Sequence, residues 1–94
     1  MNSEMKMKVQ NLESNKGNTI ANQFEIIAPN GRYFQSYRSM IVFIPNNGGK
    51  VQLDRRYWDY SKTTGKYRNL FLGEDKKTTE RKIASGEYEL ADLN

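Results

Sequence analysis

The stretch IANQFEIIAPNGRYFQSYRSMIVFI, residues 20–44, decides the fold, because a strand, a turn and a long apolar run follow one another in it. Ile20, Phe24 and Ile26 share a parity that is interrupted by Asn22. This alternation predicts a half-buried β-strand with one weak position.

A hairpin turn is predicted at the middle of this stretch. Asn30-Gly31 follows Pro29, and both central positions of a type I′ turn favour residues that tolerate positive φ. Residues 32–37 then return as the second arm of the hairpin. MIVFI, residues 40–44, is a continuous apolar run of strand length, which favours the centre of the sheet.

The next residues predict another short strand and then a helix. A turn at 45–49 leads to the alternating residues 50–53. Ser61 is a suitable N-cap, and Gly73 would end the helix that it begins.

A second helix is predicted from a cap at Asp75 through Ser85, with Gly86 after its end. YELADL, from Tyr88, indicates a possible C-terminal strand. The prediction is therefore a small α+β domain: an antiparallel sheet of three to five strands, then one or two short α-helices and the last strand.

The N-terminal residues allow two interpretations. Residues 1–18 are polar, which favours a flexible arm, but Met5, Met7 and Val9 alternate with polar neighbours, which favours an edge strand. We therefore divide the chain into residues 1–18, an arm or edge strand, and 19–94, a single α+β domain.

The composition limits the function. The 94 residues include 15 Lys and Arg against 11 Asp and Glu, and the net charge of +4 fits an anionic partner such as nucleic acid as well as many ordinary proteins. Without Cys or His, the chain lacks thiolate chemistry, Cys-based zinc sites and the commonest general base. We predict a non-enzyme without catalytic residues, metal or cofactor.

The apolar runs and the length of the chain bear on its location and assembly. No apolar run reaches the roughly 18 residues of a membrane span, and no signal peptide follows the first Met. We predict a cytoplasmic protein with no membrane partner. Because the core of so small a chain is modest, a homo-oligomer is possible.

YWDYSKTTGKYRNLFLG, residues 57–73, is the candidate binding stretch. Hydroxyls and cations gather where a helix would begin, and the free N–H groups there attract phosphate. Nearby aromatic rings can stack on a base. The predicted phosphate-binding residues are Ser61, Lys62, Thr63, Thr64, Lys66 and Arg68. The predicted stacking residues are Tyr57, Trp58 and Tyr60.

A structural interpretation of the same stretch stays open. Ser61 can be only a helix cap, and Trp58 and Tyr60 can pack onto the sheet. TTGK also resembles the end of a P-loop, but Tyr67 stands where that motif needs Ser or Thr, which excludes a P-loop hydrolase.

Two further groups extend the candidate surface. Arg55 and Arg56 form a basic patch beside the aromatic residues. Tyr33 and Tyr37 share a strand parity and can form a second stacking platform on a sheet face.

The chain resembles a family of small uncharacterised proteins of bacteriophages and mobile elements. The resemblance covers roughly residues 20–94 and combines an SY…I strand, a YS-TT-K helix entrance and an aromatic-leucine helix. The matching residues are Ser36, Tyr37, Ile41, Tyr60, Ser61, Thr63, Thr64, Lys66, Asn69, Phe71 and Leu72. It implies a phage accessory protein, and such proteins often bind host machinery.

Three hypotheses follow. The first is a small non-enzymatic phage-type protein that binds a phosphate-rich ligand, with single-stranded DNA or RNA as the main expectation. The second is an anti-CRISPR-like inhibitor that docks on a nucleic-acid-handling protein of the host. The third is a sponge for a cyclic-nucleotide signal.

Overall fold

The structure is a computed structural model that describes residues 6–94, and it confirms the predicted small α+β fold. One six-stranded sheet carries its strands in chain order, and two helices lie between the last two strands in the sequence. The elements are β1 (Lys8–Glu13), β2 (Thr19–Ala28), β3 (Gly31–Ser36), β4 (Ser39–Pro45), β5 (Val51–Asp54), α1 (Lys62–Leu72), α2 (Lys76–Ser85) and β6 (Tyr88–Ala91).

The sheet has more strands than predicted because part of the N-terminal segment pairs with it. β1 is an edge strand that runs antiparallel to β2. Residues 1–5 of the predicted arm lie outside the described residues. At the other edge β6 runs parallel to β5, because α1 and α2 form the crossover that a parallel pair requires.

The predicted type I′ turn at Asn30-Gly31 is wrong by one residue. Ala28 pairs with Gly31, so Pro29 and Asn30 are the central residues of the turn. The proline ring holds φ near −65°, which a type I′ turn does not allow. Gly31 begins β3 with φ 154°.

The second arm of this hairpin also ends one residue earlier than predicted. β3 ends at Ser36, and Tyr37 lies in the turn to β4 with φ 55°. The Tyr37 N–H donates to the Asn22 carbonyl, where β2 is itself irregular with φ 64°.

The core lies between the helices and one face of the sheet. Phe34, Ile41, Val42 and Leu53 are fully buried there. The Phe71 ring of α1 stacks on Phe34 with 5.6 Å between ring centroids. This contact fixes α1 across the middle of the sheet.

A buried carboxylate at the end of β5 positions the segment that leads into α1. Asp54 is 3% exposed, and its carboxylate accepts hydrogen bonds from the N–H groups of Arg56 at 3.0 Å, Tyr57 at 2.9 Å and Leu93 at 2.9 Å. Burial alone would raise the pKa of Asp54, but these donors and the Asn94 side chain outweigh it and lower the pKa below its ordinary value.

Gly31→Ala should destabilise the protein, because an added Cβ would collide with the Ile44 carbonyl oxygen and the Phe43 ring. We expect a loss of about 2–4 kcal/mol in the free energy of unfolding, measured by urea denaturation. Gly48→Ala is the matched control. Gly48 also has a positive φ of 81° but no atom within 4 Å of the added Cβ, so it should lose only about 1 kcal/mol. If the two variants lose the same free energy of unfolding, the collision at Gly31 is not the cause.

Asp54→Asn should cost about 1–3 kcal/mol of unfolding free energy at pH 7, because an amide cannot accept all three backbone donors. The pKa of Asp54 is lowered by folding, so its contribution is present above the unfolded-chain pKa and is lost as pH falls through the folded-state pKa. The difference between wild type and variant should therefore begin to shrink at about pH 4 and disappear only below the folded-state pKa of Asp54. Urea unfolding from pH 7 to pH 2 tests this, with Asp92→Asn as an exposed control. A difference that does not change with pH would contradict it.

Candidate functional site

Local capping signals set the limits of α1, as predicted from the sequence. Ser61 is the N-cap, and its Oγ accepts the Thr64 N–H at 3.1 Å. Gly73 ends the helix in the left-handed conformation at φ 72°. The first turn contains no acidic residue, so the N–H groups of Lys62 and Thr63 and the positive end of the helix dipole are not neutralised there.

Arg68 is buried, which corrects its prediction as a phosphate ligand. The side chain is 1% exposed, and its guanidinium donates to the Trp58 carbonyl at 2.7 Å, to Asn69 Oδ1 at 2.9 Å and to Asp59 Oδ1 at 3.3 Å. The same group lies 5.1 Å from the centroid of the Trp58 ring. Arg68 therefore fastens α1 to the segment that precedes it.

Thr64 is likewise removed from the predicted phosphate site. Its side chain is fully buried, and its Oγ1 lies 3.0 Å from Ser36 Oγ at the end of β3. This hydroxyl pair satisfies two polar groups where α1 crosses the sheet. The hydroxyl is therefore used inside the fold.

The three aromatic residues before α1 have different roles. Trp58 and Tyr57 are half-buried and pack against the core, so Trp58 is not a free stacking platform. Tyr60 is 48% exposed. The rings of Tyr57 and Tyr60 meet edge to face at 5.3 Å, which orients the exposed ring.

Exposed cations lie just before α1 and in its first two turns. Lys62, Lys66 and Arg56 are exposed, and none makes an ion pair with another residue in the described part of the chain. The Arg56 guanidinium lies 5.9 Å from the Tyr57 ring centroid. Arg55, the other member of the predicted basic patch, is exposed but pairs with Asp92 at 3.3 Å.

A groove of about 450 Å³ runs along the beginning of α1, and we name it the Lys62 groove. Its lining residues are Asp59, Tyr60, Ser61, Lys62, Gly65, Lys66, Arg68, Asn69 and Lys76. Its one carboxylate, Asp59, is occupied by Arg68 and by Lys76 Nζ at 2.7 Å. Burial opposes the ionised form, but these partners lower the pKa of Asp59, so it stays charged and paired at neutral pH.

Tyr33 and Tyr37 do not line this groove. Tyr33 lies on the helix-free face of the sheet and stacks on Phe43 at 4.5 Å. Tyr37 is 49% exposed in the turn after β3. The predicted second platform is therefore divided between a sheet face and a turn.

Asn69 and Lys76 also line the Lys62 groove, although the sequence did not predict them as site residues. Lys76 lies at the start of α2, and only the folded chain brings it to Asp59. No spacing rule connects residues this far apart. The i, i+3 relation of Lys66 and Asn69 on a predicted helix is the signal that would have found Asn69.

A family model matches residues 7–87, from the residue before β1 to the residue before β6. The chain belongs to DUF8033, a family of unknown function. No curated protein and no solved structure matches the chain. The matched region contains the complete lining of the Lys62 groove. Neither helix of residues 6–94 has the length and apolar character needed to cross a membrane.

Arg68→Met should destabilise the protein by about 2–4 kcal/mol, because it leaves the Trp58 carbonyl and Asp59 without their buried donor. Trp58 is the single tryptophan, so its fluorescence reports on this position directly. We expect a lower midpoint in urea and red-shifted emission at equilibrium. Lys66→Met, an exposed cation two residues away, is the matched control and should change neither. Unchanged stability of the Arg68 variant would contradict its structural role.

Proposed function

We propose that this chain is a non-enzymatic, phage-type accessory protein that binds single-stranded nucleic acid at the Lys62 groove. One observation carries the proposal: an exposed aromatic ring, Tyr60, lines a groove with two exposed cations that make no ion pair in the described part of the chain, Lys62 and Lys66, at the start of a helix that has no acidic residue in its first turn. The cytoplasmic location predicted from the sequence is part of this proposal.

The chemistry of the groove suits a phosphate attached to a base. Lys62 and Lys66 supply charge inside the groove. The backbone N–H groups of Lys62 and Thr63 and the exposed Thr63 hydroxyl, in the first turn of α1 beside the groove, supply directed donors. Tyr60 offers a ring face for stacking, which is worth about 1–3 kcal/mol per base and tolerates any sequence. These contacts recognise the phosphate and the ring face of a base, which all nucleotides share. We therefore expect little sequence preference.

The buried residues of the predicted site support this surface from below. Arg68 and the Thr64–Ser36 pair fix the helix entrance, so its backbone N–H groups are held in place before a ligand arrives. A preorganised surface loses less conformational entropy when it binds.

Titration of the protein with labelled single-stranded DNA and RNA at two salt concentrations tests the proposal. Lys66→Ala should weaken binding and reduce the slope of log K against log salt by about 0.7, because one phosphate contact and its released counterion are lost. Lys50→Ala, an exposed lysine in the turn between β4 and β5, is the control and should change neither quantity.

A second pair of variants tests the stacking ring. Tyr60→Ala should weaken binding by about tenfold at both salt concentrations, since stacking releases no counterion. Tyr37→Ala removes a ring of equal exposure outside the groove and should leave affinity unchanged. Equal effects of the two variants would argue against the groove as the site.

The same titrations separate the other hypotheses. A salt-tolerant site that prefers a cyclic nucleotide would replace the proposal with the signal-sponge hypothesis. If the wild type binds no nucleic acid at low salt, the proposal fails. The inhibitor that docks on a host nucleic-acid-handling protein then becomes the leading hypothesis.

A further inference from the structure

A second groove of about 480 Å³ lies on the other side of α1, and we name it the Lys16 groove. Its lining residues are Ser14, Asn15, Lys16, Ile20, Lys66, Tyr67, Asn69 and Leu70. Lys66 and Asn69 line both this groove and the Lys62 groove. The two grooves are therefore neighbours across one ridge of α1.

The floor of the Lys16 groove is apolar. Ile20 and Tyr67 pack against the core with part of their surface still accessible, and Leu70 is 38% exposed beside them. A flat apolar ligand would cover this surface and remove it from water.

The rim of the groove is basic and polar. Lys16 and Lys66 contribute two cations, Asn15 and Asn69 contribute amides, and no carboxylate lines the groove. An aromatic ring attached to a negative charge complements this combination of floor and rim. A nucleotide has that chemistry.

The turn that carries Lys16 is held in place. Ser14 Oγ accepts the N–H groups of Lys16 and Asn18, each at 3.2 Å, and the Ser14 N–H donates to the Asn18 carbonyl at 2.8 Å. The turn therefore presents its cation and its amide from a defined backbone.

We propose that a bound single strand crosses the Lys66–Asn69 ridge and places a second base in the Lys16 groove, with the adjoining phosphate at Lys16. This inference rests on the proposed function and extends its site from one groove to two. Lys66 lies between the grooves and contacts the strand in either of them. Lys16 contacts only a strand long enough to cross the ridge.

Binding of oligonucleotides of about 4 and about 12 nucleotides tests the inference. Lys16→Ala should weaken binding of the long oligonucleotide about three- to tenfold and reduce its salt slope by about 0.7, with little effect on the short one. Lys66→Ala should weaken both lengths. Lys50→Ala, at the end of the sheet where the β4–β5 turn meets the β2–β3 turn, should weaken neither.

Leu70→Gln tests the contact between a base and the groove floor separately from the charge of the lysines. It keeps the helix but makes the floor polar, so it should weaken the long oligonucleotide by a factor that salt does not change. Two results would overturn the inference while the wild type still binds: Lys16→Ala leaves the affinity for the long oligonucleotide unchanged, or it weakens the affinity for both lengths equally. If the wild type binds neither length, the proposed function itself has failed and this extension with it.

Discussion

The surface of this protein depends on one buried cation. The Arg68 guanidinium reaches back along the chain to the Trp58 carbonyl and to Asp59, and it lies over the indole ring. A buried guanidinium is costly without acceptors, and here Nη1 and Nη2 donate while Nε has no partner. The segment before α1 must therefore keep the conformation that offers the acceptors of Nη1. The position of Tyr60 and of the helix entrance follows from that requirement.

Helical periodicity then divides the polar residues of α1 into two sets. Thr64 and Arg68, four residues apart, face the sheet and the preceding segment. Lys62 and Lys66, also four residues apart, face solvent. The buried face of α1 therefore holds the helix in place, and its exposed face supplies the positive charge of the grooves. Different residues serve the two roles.

Features that depend on neighbouring residues, such as the ends of the helices, could be predicted from the sequence. Ser61, Gly73, Asp75 and Gly86 are the caps that the pattern indicated, because each acts within one turn of its own position. The apolar run of β4 likewise leads to a central position in the sheet.

What the sequence did not predict depends on partners that are distant in the chain. In the sequence alone Arg68 resembles a surface cation, because its acceptors are not apparent. For residues 1–18 the sequence left an arm and an edge strand open, and the pairing of β1 with β2 decides for the edge strand in the part that the structure describes. The hairpin turn was misplaced for another reason: the fixed φ of Pro29 suits the first central position of a turn, so Pro29 and Asn30 are central instead of Asn30 and Gly31. About half of the predicted phosphate site therefore stays exposed, and its arrangement required the fold.

The parallel pairing of β6 with β5 affects the order in which the strands of the sheet can pair. β1 to β5 join neighbours through short turns, whereas Val51 of β5 and Tyr88 of β6 pair across a connection that contains both helices. Closing that long loop costs more conformational entropy than closing a hairpin. During synthesis β1 to β5 can thus begin to pair early, while β6 joins only after the residues of both helices have left the ribosome.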